Sequence, residues 1–102
     1  MPSQQQEIIA VLLNFKRCLS MQIPQKSTEK AVLLSDNLTG ELSKRITSNF
    51  VIATKTQDFI REISMLIGLE QLRLSSDSLA AFNDLKRLLP KNYTVINPIQ
   101  PF

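Results

Sequence analysis

Residues 42–74 read LSKRITSNFVIATKTQDFIREISMLIGLEQLRL, and the spacing of their apolar side chains decides the fold class. Ile46, Ala53, Ile60, Ile67 and Leu74 recur every seven residues, as the a positions of a heptad. Leu42, Asn49, Thr56, Ile63 and Glu70 are then the d positions, and Ile52, Phe59 and Leu66 are g positions between Arg45 and Arg73. Seven residues span two turns of an α-helix, so these positions share a face. A seam of a and d widened by g is a bundle face more than a strict two-stranded zipper. The β-branched run Val51-Ile52 with Thr54 and Thr56 has strand propensity. The heptad passes straight through it, which favours helix.

Towards the N-terminus the stripe keeps its phase through Ala31, Leu34, Leu38 and Leu42. Ser27 and Thr28 are good N-cap residues and Glu29 follows in the first turn. Gly40 costs roughly 1 kcal/mol in a helix interior. The pattern therefore predicts one helix over 28–74, with a possible kink at 37–41. A first helix is predicted over 3–22, where Ile8, Val11, Leu12, Phe15, Cys18 and Leu19 form one face, widened by Ile9 and Leu13. Pro24 stops it from running on. Ser75-Ser76-Asp77 offers three consecutive caps, and Phe82, Leu85 and Leu89, flanked by Ala81 and Leu88, predict a third helix over 78–89. Pro90 ends it. Beyond Lys91, the strand-prone Tyr93-Thr94-Val95-Ile96 and the prolines Pro98 and Pro101 predict an extended tail over 91–102. The expected fold is all-α: a helical hairpin or bundle with one long central coiled-coil-like helix, a helical domain over 1–90 and an extended C-terminal tail.

Composition agrees. A chain of 102 residues is one domain, and two glycines are too few for the turns of an all-β protein. The net charge of +3 permits an acidic partner, a nucleic acid or an anionic membrane and requires none. Cys18, the single cysteine, has no internal partner, which points to a reducing compartment. With no secretory signal and no apolar run long enough for a membrane span, the expected location is cytoplasmic or nuclear.

The chemistry the residues could support is limited. There is no histidine, hence no usual general base and no common zinc ligand. Gly40 and Gly68 stand alone, so no phosphate-binding loop exists. The sequence gives no reason to expect an enzyme, a cofactor, a metal or a small-molecule substrate. Asp58 and Glu62, one turn apart, read either as a paired-carboxylate site or as a solvated face beside Arg61. Cys18 reads either as a reactive thiol or as a small core residue on its apolar face. Asn49 and Thr56 on the seam are either buried polar groups that fix register or exposed residues at a seam that rotates locally. Lys16-Arg17, Lys44-Arg45 and Lys86-Arg87 are either a patch for phosphate or three solvated faces.

Length turns the fold into a functional expectation. A helix over 28–74 would be on the order of 70 Å long, whereas a compact domain of this size has a radius of gyration of only about 13 Å. The other helices cannot cover such a rod, so apolar seam is left for another chain. The expected function is a non-catalytic structural or adaptor subunit that assembles with partner helices, as a homo- or hetero-oligomer, in a multi-subunit complex. The partner-binding residues are then Ile46, Ile52, Phe59, Ile60, Ile63, Leu66, Ile67 and Leu74. The tail residues Ile96, Ile99 and Phe102 join them, since a short apolar tail suits a partner groove as well as it suits the chain's own helices. The alternative is a small basic helical protein that binds nucleic acid through the Lys-Arg pairs.

Overall fold

Ser3 opens the chain's first helix with a reciprocal cap. Its hydroxyl accepts the Gln6 amide at 3.1 Å, and the Gln6 side chain accepts the Ser3 amide at 3.0 Å. The computed structural model describes residues 3–44 and 48–96, the last seven of these by backbone alone. Four helices follow one another: α1 (Gln4–Met21), α2 (Lys26–Leu42), α3 (Asn49–Gly68) and α4 (Ser76–Ile96). No strand occurs among the described residues.

The predicted long central helix is two helices. α2 runs straight through Gly40 and ends at Leu42, and α3, from Asn49, packs back along it. The break is therefore not at 37–41. Its chemical marker is Ser48, whose hydroxyl accepts the Val51 amide at 3.2 Å. Energetics favour the reversal. Folding α3 back buries Ile52, Phe59, Ile63 and Leu66, each contributing about 1.5–3 kcal/mol. Doubling a loop's length costs only about 0.6 kcal/mol of closure entropy. A continuous rod would leave those side chains in water.

α3 ends at Gly68, six residues before the predicted limit at Leu74. The Gln71 amide returns to the Leu66 carbonyl at 3.1 Å and the Glu70 amide to the Ile67 carbonyl at 2.9 Å. This paired return is the Schellman arrangement, which needs one left-handed residue. Glu70 supplies it with φ 58°. Ser75 then caps α4, its hydroxyl accepting the Ser78 amide at 3.2 Å. α4 does not stop at Pro90 but continues to Ile96, which corrects the expected tail over 91–96 and the boundary at 90. A proline inside a helix removes its own amide from the ladder and crowds the carbonyl four residues earlier, but the amides after it remain available. Residues 97–102 lie outside the described residues.

α1 packs against α2 and α4, and α3 against the same two helices. The start of α1 meets the end of α2, where the Gln5 side-chain amide donates to the Leu42 carbonyl. The end of α1 meets the start of α4 through Gln22 and Ser78. Successive helices are thus antiparallel around a shared core, and the radius of gyration is 13.8 Å. Phe15 sits at the centre, edge-on to Phe59 at 6.2 Å and tilted against Phe82 at 5.6 Å. Ile8, Leu12 and Leu19 of α1, Leu38 and Leu42 of α2, Ile63 of α3 and Leu85 of α4 complete the packing.

Candidate protein-docking surface

The core takes in much of the predicted partner-binding seam. Ile52, Phe59, Ile63 and Leu66 are buried among the chain's own helices. Ile60, Ile67 and Leu74 pack at the edge of that core and remain partly exposed. The seam is therefore rotated towards its g and d positions. The overhanging rod that left it for another chain does not exist. Ile46, Ile99 and Phe102 lie outside the described residues, and Ile96 is the last residue of α4.

The polar seam positions divide. Thr56 is fully buried, whereas Asn49 is exposed at the first turn of α3. Cys18 lies in the buried face of α1, where a small core residue would. Asp58 is paired with Arg61, and both Asp58 and Glu62 are exposed. Among the described residues no three His, Cys, Asp or Glu side chains gather as a metal ion would require. No described helix is long and apolar enough to cross a membrane.

Each Lys-Arg pair has a member held by this chain's own carboxylates. Lys16 meets Asp36 at 2.7 Å, Lys44 meets Glu41 at 2.9 Å, and Arg87 is paired with Asp84. Arg17 donates to Asn14 Oδ1 at 2.7 Å, and Lys86 sits 5.3 Å from the centre of the Phe82 ring. Glu41 also receives Lys55 at 3.3 Å. The hydrogen bond from Lys44, followed by that from Lys55, lowers the Glu41 carboxyl below its ordinary range.

Five of the exposed large apolar side chains lie at the end of the bundle formed by the α1–α2 and α3–α4 connections, whereas Leu13, Leu33 and Phe50 are exposed elsewhere. Ile23 is 85% exposed and Met21 74%, and Met65, Leu69 and Leu79 are also exposed. Gln22 locks the two connections together. Its side-chain amide donates to the Arg73 carbonyl at 2.8 Å, and its oxygen accepts the Ser75 amide at 3.0 Å and the Ser78 hydroxyl at 2.9 Å. Gln25 adds a bond to the Gln71 carbonyl at 2.7 Å. The exposed apolar side chains thus sit on a pinned framework.

Among the described residues, two of the larger grooves open at this end. One of about 400 Å³ is lined by Ile67, Leu72, Leu74 and Leu79 with Glu70 and Arg73. The other, about 700 Å³, is lined by Lys26, Lys30, Arg73 and Glu70 with Gln25, Ser27 and Gln71. A third groove of about 640 Å³ runs between α1 and α4 nearer the other end, over Ala10, Val11 and Leu88; Asp84 and Arg87 pair within it and Glu7 also lines it.

Ile67 and Leu74 belong to the predicted set, and the structure brings them together in the first groove. Met21, Ile23, Met65, Leu69 and Leu79 were not legible as a site, because they fall off the helical stripes or in connections. Their sequence signals are weak: Ile23 stands beside the helix-stopping Pro24, and Met65 and Leu69 belong to an apolar run interrupted by Gly68. No protein-family model matches the chain, and neither a curated protein nor a solved structure matches it.

Proposed function

We propose that this chain is a non-catalytic structural or adaptor subunit, which docks onto other helical protein chains through the apolar end of its bundle. The observation that carries this is the exposure of Met21, Ile23, Met65, Leu69 and Leu79 at one end of the bundle, while Leu13, Leu33 and Phe50 are exposed singly over the rest of it. Scattered exposed apolar residues are ordinary. A gathering of them beside an apolar groove is what protein-docking surfaces present. Ile67 and Leu74 supply the half-buried floor of that groove, so part of the heptad seam still serves assembly. The free Cys18 suits a reducing compartment, cytoplasmic or nuclear. The nucleic-acid alternative has less support, because three of its cations already face carboxylates of the same chain.

The test is a triple variant, Ile23→Asp, Leu69→Asp and Leu79→Asp, compared with the unmodified chain in purification from its native cell. All three side chains are exposed, so the melting temperature should stay within a few degrees. Any protein recovered in stoichiometric amount, or self-association seen by sedimentation, should be lost. Retention of the same partner at the same ratio by a folded variant would refute the assignment of this end.

A further inference from the structure

The two grooves at the docking end share Glu70 and Arg73, so they form one continuous surface across the α3–α4 connection. One part is apolar, floored by Ile67, Leu74 and Leu79. The other is cationic. Lys26, Lys30 and Arg73 line it, and none of the three has an ion-pair partner among the described residues. This sets them apart from Lys16, Lys44, Lys55, Arg61 and Arg87, which all do. Against these three cations the lining holds one carboxylate, Glu70, for a net of +2.

We infer that the occupant of this surface is an acidic segment of a partner protein, with apolar anchor side chains in the α3–α4 groove and carboxylates over Lys26, Lys30 and Arg73. The inference rests on the docking function proposed above and specifies the chemistry of its partner. Charge complementarity selects an acidic occupant, since unpaired cations beside an apolar groove suppress basic competitors and speed the approach of acidic ones. A protein segment is favoured over a nucleic acid because no aromatic side chain lines either groove to stack a base. It is favoured over a lipid surface because both sites are grooves, which a protruding protein segment fills and a lipid surface does not.

The experiment is selection of a phage-displayed library of random 16-residue peptides against the folded full-length chain, followed by amide chemical-shift mapping of the enriched peptides. Phosphatidylserine vesicles and a single-stranded oligonucleotide are titrated in parallel. Enriched peptides should combine Leu, Ile or Phe with an excess of Asp and Glu, and should shift the amides of residues 26–30 and 67–79. Lys26→Glu with Arg73→Glu should weaken them at least tenfold and reverse the preference to basic peptides, with folding verified by circular dichroism. Leu79→Asp should weaken acidic and neutral peptides alike. Peptides that map to this end without acidic excess would overturn the charge inference and leave the docking function standing. Peptides that map elsewhere, or no enrichment at all, would overturn both. Saturable binding to vesicles or oligonucleotide that Lys26→Glu and Arg73→Glu abolish, in the absence of acidic peptides, would replace the protein segment with that ligand.

Discussion

Thr56→Val should stabilise the protein. Thr56 is fully buried in the middle of α3, and its hydroxyl oxygen has no hydrogen-bond partner among the described residues. The contrast with α2 is direct. There Ser35, Thr39 and Ser43 each return a hydroxyl to the carbonyl four residues earlier, at 2.8 Å in all three cases. Thr56 makes no such return. A hydroxyl withdrawn from water without a partner costs about 1–3 kcal/mol in protein mutational data. Valine keeps the branched shape, has similar helix propensity and puts a methyl where the hydroxyl was. Some of the gain is offset by fitting the larger group into a packed site. The expected net effect is about 1 kcal/mol, which raises the melting temperature by roughly 4–8 °C in a bundle of this size. In urea the midpoint should rise with the slope unchanged. Thr56→Ser separates the contributions: it keeps the hydroxyl, loses the methyl and should be less stable than the parent. If Thr56→Val instead loses 1 kcal/mol or more, the hydroxyl has a partner in solution and polar pairing holds this part of the seam.

Three further outcomes follow from other parts of the bundle. Glu70→Gly should gain about 0.5–1 kcal/mol, because a left-handed φ costs a side-chain-bearing residue roughly 1–2 kcal/mol and glycine's own entropy offsets part of that; a melt that falls by several degrees would refute it. Glu41→Gln should flatten the acid limb of the stability curve: Lys44 and Lys55 lower the folded pKa, so the stabilisation is present above the ordinary carboxylate range and is lost as pH falls through the lowered value. Denaturant midpoints measured across pH should differ between parent and variant at neutral pH and converge in acid. Gln22→Ala removes the bonds to Arg73, Ser75 and Ser78 and should cost about 1–3 kcal/mol, with hydrogen exchange accelerating across 69–75 before it does so in the helical core.

The proposed docking surface was only partly legible in the sequence, for a physical reason. Ile67 and Leu74 could be placed on an apolar seam because periodicity reports which residues share a face. Lys26 and Lys30 could not be brought together with Arg73, because they belong to the first turns of α2 and it belongs to the α3–α4 connection, far apart in the chain. The adjacent Lys-Arg pairs drew attention by their density along the chain. Spatial neighbours then provided them with Asp36, Glu41 and Asp84. Local sequence shows where charge is concentrated, whereas tertiary contact decides which charges remain unpaired.

The fold shows the same division between what a pattern encodes and what it leaves open. The buried faces of α1 and α4 follow their predicted stripes closely: Ile8, Leu12, Phe15, Cys18 and Leu19 in one, Phe82, Leu85 and Leu89 in the other. The error lay in joining α2 to α3, since Leu42 and Ile63 belong to a single heptad phase yet sit on two helices that run in opposite directions. A seven-residue repeat fixes which residues are apolar neighbours along a helix. It does not distinguish one rod with an outside partner from a hairpin that is its own partner, because both bury the same stripe. The described marker of the choice is Ser48, which caps a new helix with no proline or glycine in the preceding five residues to announce it. Length could have pointed the same way: a rod on the order of 70 Å needs another chain to cover it, whereas the folded-back pair fits within 45 Å and covers itself. What the fold leaves partly exposed is therefore not the seam's centre but its edge, at the end where Ile67 and Leu74 emerge beside Leu79.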